Sequence, residues 1–87
     1  MTRWTIAWSE TAYRDLERLD PGVARRVIKR LETAASSPER YFERLAGSGD
    51  HKLRIGDYRL LAALSRATRI LLVERVDHRS RIYDRHR

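Results

Sequence analysis

The first residues of the chain alternate between large apolar and smaller side chains. Trp4, Ile6 and Trp8 share one parity, and Thr5 and Ala7 take the other. A period of two residues is typical of a β-strand with one buried face. The pattern therefore predicts a first strand whose tryptophans pack on the core. This interpretation is favoured over base stacking because the period fits burial.

Two helices are predicted between residues 9 and 38. Ser9 can cap the first helix. The segment Asp20-Pro21-Gly22 ends that helix and begins the second, because proline is favoured at the first helical position. Pro38 ends the second helix. The apolar positions recur at helical spacing and are Ala12, Leu16 and Leu19 in the first helix and Val23, Val27, Leu31, Ala34 and Ala35 in the second.

The polar side of the second helix is strongly basic. It carries Arg25, Arg26, Lys29 and Arg30. The default interpretation of such a run is a solvated helix face, and contact with nucleic acid or a ribosome is the alternative.

The second half of the chain is predicted to contain three more strands. Residues 37–50 are interpreted as a loop. Residues 51–59 consist of two short strands joined at Gly56-Asp57, a dipeptide suited to a tight hairpin turn. The continuous apolar run Ile70–Val73 indicates a central strand. The element order is strand–helix–helix–strand–strand–strand, which predicts an α+β fold in which two helices cover one face of a mainly antiparallel sheet.

Three cations are predicted to converge on the open face of this sheet. Side chains alternate across a strand, so Lys52 and Arg54 share one face while Leu53 and Ile55 share the other. On the returning strand Arg59 takes the parity opposite to the core residues. A cluster of cations on a rigid sheet is what a phosphate-binding or phosphate-cleaving surface needs.

The composition predicts that the protein binds an anionic partner. The 87 residues include seventeen arginines and two lysines, and the net charge is +7. The sequence pI is about 10.8. Arginine has a planar fork that suits phosphate contacts and base stacking. The balance favours nucleic acid over acidic proteins as the partner, and over a charge that serves solubility alone.

Several other classes of protein are disfavoured. Because the chain has no cysteine, it has no disulfide framework and no thiolate metal site. The three histidines lack the spacing of zinc ligands. No apolar run approaches the ~20 residues of a membrane span, and the first residues carry no signal-peptide stretch. We therefore expect a cytoplasmic protein with one domain over residues 1–87 and with no metal or other cofactor.

Two basic segments carry a resemblance to a known family. Residues 52–59 read Lys-Leu-Arg-Ile-Gly-Asp-Tyr-Arg, and the apolar strand 70–76 leads into a segment that contains His78, Arg79 and Tyr83. These segments resemble the RelE/ParE superfamily of toxin–antitoxin toxins. The order of elements matches as well, so the resemblance covers nearly the whole chain. The RelE branch cuts messenger RNA in the ribosomal A site, whereas the ParE branch shares the fold and inhibits DNA gyrase.

The resemblance implies a catalytic set of four residues. Lys52 corresponds to the general base, and Arg59 to the arginine that stabilises the phosphate. Arg79 corresponds to the arginine near the leaving group, and Tyr83 to the C-terminal catalytic tyrosine. The residues expected to add further RNA or phosphate contacts are Arg54, Arg81 and His78. Arginine does not readily exchange protons, so Lys52, Tyr83 and His78 all stay open as the proton carrier.

The sequence therefore predicts the toxin of a type II toxin–antitoxin system. The leading hypothesis is a ribosome-dependent mRNA endoribonuclease that needs no metal because the 2′-hydroxyl attacks the adjacent phosphate. Its expected partners are the ribosome, mRNA and an acidic RelB-like antitoxin, with which it can form a hetero-oligomer. The alternatives are a ParE-like gyrase inhibitor without nuclease activity and a basic nucleic-acid-binding module. Asp50, at a position that is basic in the RelE type, favours the ParE alternative.

Overall fold

The fold is a five-stranded sheet with helices packed on one face. A computed structural model describes residues 3–47 and 49–78. The elements are β1 (Thr5–Trp8), α1 (Glu10–Glu17), α2 (Pro21–Ala34), α3 (Pro38–Tyr41), β2 (Glu43–Arg44), β3 (His51–Ile55), β4 (Tyr58–Ser65) and β5 (Ile70–His78). No helix among these residues is long and apolar enough to cross a membrane.

The sheet is antiparallel except at one edge. The strand order is β1-β5-β4-β3-β2, and β1 pairs in parallel with β5. The remaining pairs, β5–β4, β4–β3 and β3–β2, are antiparallel. The predicted α+β class and the mainly antiparallel sheet are therefore confirmed.

Both long helices begin where the sequence predicts. The Ser9 side chain accepts a hydrogen bond of 3.0 Å from the Ala12 backbone N–H and so caps α1. The second helix, α2, begins at Pro21. The apolar sides of the helices pack with the inward residues of the sheet. The buried core consists of Trp4, Ala12, Val27, Leu31, Ala34, Ala35, Phe42, Leu53, Ile55, Leu60, Ala62, Leu71, Val73 and Val76.

The prediction of an unbroken loop over residues 37–50 is wrong. This segment contains the single-turn helix α3 and the two-residue strand β2. Four residues are too few to show helical periodicity. Both residues of β2, Glu43 and Arg44, are charged and exposed, so they show no apolar alternation. The strand forms because it pairs with the edge of β3, and that tertiary cause leaves no local signal.

A β-bulge interrupts β5 next to its basic end. Leu61 pairs with Arg75 and Ala62 pairs with Val73, so Glu74 is the extra residue. The bulge reverses the alternation of side chains along the rest of β5. Val76 consequently faces the core, where it is 1% exposed.

A buried carboxylate joins α1 to this irregular part of β5. Asp15 accepts hydrogen bonds from Arg75 Nε at 2.9 Å and from Arg75 Nη2 at 3.3 Å. It also accepts one of 2.9 Å from the Val76 backbone N–H. The side chain of Asp15 is 4% exposed and that of Arg75 is 23% exposed. β1 pairs with β5 only as far as Val73. Past that residue, Asp15 accepts the hydrogen bonds of the β5 edge, one from a backbone N–H and two from the guanidinium of Arg75.

We predict that Asp15→Ala destabilises the fold by roughly 3 kcal/mol, because it leaves Arg75 half-buried without its carboxylate. The measurement is urea unfolding followed by circular dichroism. Glu10→Ala is the control, since it removes an exposed carboxylate of the same helix that pairs with Arg14. That change should cost less than about 1 kcal/mol. An equal loss of unfolding free energy in the two variants would show that the hydrogen bonds of Asp15 to β5 do not stabilise the fold.

Candidate functional site

A two-residue turn sets the register of the β3–β4 hairpin. Ile55 pairs with Tyr58, which leaves Gly56 and Asp57 as the turn. Gly56 has φ of 59°, a conformation that glycine adopts without strain. Glycine at the first central position is typical of a type II′ turn, whose twist matches that of the flanking strands. The turn thereby fixes Arg54 directly opposite Arg59.

The hairpin places three cations on the sheet face that the helices leave uncovered. Residues directly opposite in an antiparallel pair share a face, so Arg54 and Arg59 lie together, and Lys52 lies two residues from Arg54. Leu53 and Ile55 point the other way, into the core. We call Lys52, Arg54 and Arg59 the basic face. Its members are those that the alternation of the sequence predicts.

The basic face is electrostatically costly. Arg54 and Arg59 are like charges at directly opposed positions, an arrangement that destabilises a strand pair. The residue across from Arg59 on the next strand is Asp77, a largely buried carboxylate on the same face. Its negative charge offsets part of the repulsion between the two arginines.

Arg59 is buried although it is a cation. It is 8% exposed, and its Nη1 donates to the carbonyl oxygen of Tyr58 at 3.2 Å and, more weakly, to that of Gly56 at 3.5 Å. Among the described residues, its Nε is buried and has no hydrogen-bond partner. An unsatisfied buried donor costs free energy, so it marks a position with capacity for an acceptor.

Lys52 is held between an apolar and an acidic neighbour. Its side chain is 21% exposed, and Nζ lies 3.8 Å from Oε1 of Glu43 on β2. Leu61, opposite Lys52 on β4, is 1% exposed and belongs to the same uncovered face. Any anion that binds Lys52 must therefore compete with Glu43. Sequence reasoning missed this partner because β2 has no recognisable pattern.

His78 lies on the other face of the sheet. It pairs with Tyr58, whereas Arg59 pairs with Asp77, so His78 and the basic face point in opposite directions. The ring of His78 packs edge-on against Tyr58 with 5.6 Å between centroids. Its backbone N–H donates to Oδ1 of Asp77 at 2.7 Å. The remaining predicted site residues, Arg79, Arg81 and Tyr83, lie outside the described residues.

Several solved structures with the same fold are toxins or toxin–antitoxin complexes. A chain of the RelBE2 complex from Mycobacterium tuberculosis has a TM-score of 0.84 and 30% identity, over 92% of this chain and 95% of that one. The intact RelBE complex of E. coli gives 0.75 and 21%, over 86% and 95%. The isolated E. coli RelE toxin gives 0.75 and 20%, over 97% and 99%. None of the curated proteins matches in sequence.

The fold is that of the toxins in the RelE/ParE superfamily. The model of the ParE toxin of type II toxin–antitoxin systems matches residues 6–83. The chain therefore belongs to this family of toxins, as its resemblance in sequence predicts.

We predict that Glu43→Gln strengthens the binding of single-stranded RNA by about 2–5-fold, because it removes the anion that competes for Lys52. The measurement is fluorescence anisotropy with a labelled 2′-O-methyl RNA, which lacks the free 2′-hydroxyl. Glu17→Gln is the matched control, since Glu17 is an exposed carboxylate of α1 and the charge change is the same. Equal gains in both variants would mean that only net charge matters.

Proposed function

We propose that the protein is a ribosome-dependent mRNA endoribonuclease, the toxin half of a type II toxin–antitoxin pair. The observation that supports this most directly is the basic face, in which Arg59, buried and with no acceptor for its Nε in the part of the chain that the structure describes, lies beside Lys52 and Arg54. Identity of 30% with a chain of a RelBE complex over nearly the whole length supports the RelE branch.

The proposed reaction is an internal transfer on the RNA backbone. The ribose 2′-oxygen attacks the adjacent phosphorus, the bond from phosphorus to the 5′-oxygen breaks, and the products carry a 2′,3′-cyclic phosphate and a 5′-hydroxyl. The reaction needs a base for the 2′-proton, stabilisation of the extra negative charge, and a proton for the leaving oxygen.

The residues of the basic face fit the first two of these tasks. Lysine can exchange a proton and arginine does not, so Lys52 is proposed as the base, and Arg54 and Arg59 as fixed charges on the phosphate. Burial of Arg59 strengthens its interaction with a phosphate, because water screens it less. The resemblance assigns Arg79 to the leaving group and Tyr83 to proton transfer. The orientation of His78 away from the basic face favours Lys52 and Tyr83 over His78 as proton carriers.

Inhibition of DNA gyrase is the second candidate function. It is favoured by the match of residues 6–83 to the ParE toxin model and by Asp50, an acidic residue two positions before Lys52. In that case the basic face would bind a partner and perform no chemistry. The two functions differ in which molecule is broken, RNA or DNA, so one experiment separates them.

An antitoxin is the partner of a toxin of this type. The net charge of +7 supports an antitoxin with an acidic segment, which is poorly ordered alone and folds on contact. Opposite charges speed such an association at low salt.

We predict that induced expression arrests growth and produces new mRNA 5′ ends, each with a 5′-hydroxyl, at the codon in the ribosomal A site. The reason is that 2′-hydroxyl attack leaves this end. The measurement is sequencing of 5′-hydroxyl ends on ribosome-bound mRNA, with plasmid supercoiling assayed in parallel. Co-expression of the neighbouring gene's product, the proposed antitoxin, should suppress the cuts. Intact mRNA with DNA breaks trapped on gyrase would contradict the proposal and support the ParE-like function.

We predict that Lys52→Arg slows cleavage nearly as much as Lys52→Ala, because arginine keeps the charge but does not act as a base. Arg59→Ala should slow cleavage on the order of 10²–10³-fold, the effect of removing one well-aimed donor. The measurement is the cleavage rate of mRNA on purified ribosomes.

Two comparisons make these variants interpretable. Arg25→Ala removes an exposed cation of α2 and should leave the rate within a few-fold. Arg59→Lys keeps the charge, and circular dichroism of both Arg59 variants checks that the fold is intact. If Lys52→Arg cleaves at the wild-type rate, Lys52 is only a phosphate contact, and Tyr83 or His78 must carry the proton.

A further inference from the structure

A second basic surface lies beside α2, at the tip of the β3–β4 hairpin. It is a groove of about 590 Å³ whose lining includes Arg26, Lys29 and Arg30 of α2 and Arg54 of β3. We propose that this α2 groove binds the sugar–phosphate backbone of structured RNA. The inference deepens the proposed function and rests on RNA being its target. Its three cations on α2 would add an anchoring contact outside the proposed catalytic set.

The spacing of the cations on α2 gives them a common direction. Positions 26, 29 and 30 are three and four residues apart, so they lie on one side of the helix, together with Thr33. The opposite flank of α2 carries Ile28 and Glu32 and borders a different groove, shared with Tyr13 of α1. The helix therefore presents charge towards the hairpin and apolar surface towards α1.

The charged side chains in the described lining of the α2 groove are four cations, with no carboxylate among them. Arg26 Nη2 lies 4.0 Å from the position that a Cβ on Gly56 would occupy, so the guanidinium reaches the hairpin tip. The guanidinium carbon of Arg30 lies 5.4 Å from the ring centroid of Tyr41, a cation–π contact that limits its motion. Two cations are thus held near the groove rather than dispersed in solvent.

RNA fits this groove better than an acidic protein segment does. A protein partner needs buried apolar anchors as well as charge. Ile55 is the one hydrophobic side chain in the described lining, and it is already buried in the core. The exposed apolar residues Tyr13 and Ile28 lie on the other flank of α2. Phosphate groups need cations alone, and the fork of arginine suits them.

Arg54 connects the groove to the basic face. It belongs to both surfaces, because it is on the uncovered face by register and also lines the groove. Among the described strands only β2 lies beyond β3, and its two residues pair with His51 and Lys52, so Arg54 lies at the edge of the described sheet. RNA bound in the α2 groove would therefore lie next to the strand that reaches Lys52.

The test measures binding of a labelled 2′-O-methyl RNA duplex, which cannot react through a 2′-hydroxyl, by anisotropy across a salt series. The variant Arg26→Gln/Lys29→Gln/Arg30→Gln should weaken binding at least tenfold at 0.1 M salt. Its slope of log K against log salt should fall by about 2–3, since each lost phosphate contact contributes about 0.9. The control Arg14→Gln/Arg25→Gln/Arg40→Gln removes the same charge from exposed positions outside the groove. It should weaken binding less than threefold.

A second pair of variants leaves all the cations in place. Thr33→Glu puts a carboxylate into the groove, and Thr11→Glu puts one on exposed α1. Thr33 lies in the last turn of α2, where a negative charge is disfavoured, so circular dichroism checks that this variant keeps its fold. Only Thr33→Glu should weaken RNA binding. Equal losses in groove and control variants, or no loss in either groove variant, would overturn the proposal. So would loss of binding to the acidic antitoxin with RNA binding unchanged, which would make the groove a protein site.

The same measurements distinguish a failure of the groove proposal from a failure of the proposed nuclease function. If the wild-type protein cuts no mRNA yet the groove variants lose duplex binding, the RNA groove stands and the endoribonuclease does not. If cleavage proceeds and duplex binding is indifferent to the groove variants, the reverse holds.

Discussion

The register of the β3–β4 hairpin determines which side chains lie on each face of the sheet. If β3 slipped by a single residue along β4, Lys52 and Arg54 would turn towards the helices and Leu53 and Ile55 would turn to the opposite face, while Arg59 on β4 would stay where it is. Two forces oppose that shift. Burial of the leucine and isoleucine favours one face, and the Gly56 turn allows one pairing. Both basic surfaces depend on this register, since Arg54 belongs to each.

Two features of the hairpin lower the stability of the folded sheet. Arg54 and Arg59 oppose each other directly, and a buried Nε has no acceptor among the described residues. Apolar or uncharged pairs at these positions would make a more stable sheet. The core around Leu60, Val73 and Val76, together with the tie between Asp15 and Arg75, supplies the rigidity that keeps the cations in place. Rigid placement matters for charge stabilisation, because donors that are already oriented need no rearrangement during a reaction.

Local patterns in the sequence predict much of the fold and part of the candidate site. The strand around Ile6, the Ser9 cap and the turn at Gly56 depend on a few neighbouring residues, and each is confirmed in the structure. The short elements within residues 37–50 and the pairing of Glu43 with Lys52 arise only when distant segments meet. His78 illustrates the same limit. In a regular strand His78 would share the face of Leu72, the uncovered face, because the two residues are an even number of positions apart. The bulge at Glu74 adds one residue, so His78 lies on the helix-covered face instead.

That bulge has a consequence at the level of the gene. Removing codon 74 would delete the residue that has no partner on β4, so regular pairing would be restored with Val76 still opposite Leu60 and Asp77 still opposite Arg59. Removing codon 76 instead would keep the bulge and move each following residue into its neighbour's position, so that Asp77 would turn inward and His78 would lie opposite Arg59. Two in-frame deletions of three nucleotides, only two codons apart, thus have opposite results. The first leaves the basic face as it is, and the second replaces a carboxylate by an imidazole beside the buried arginine.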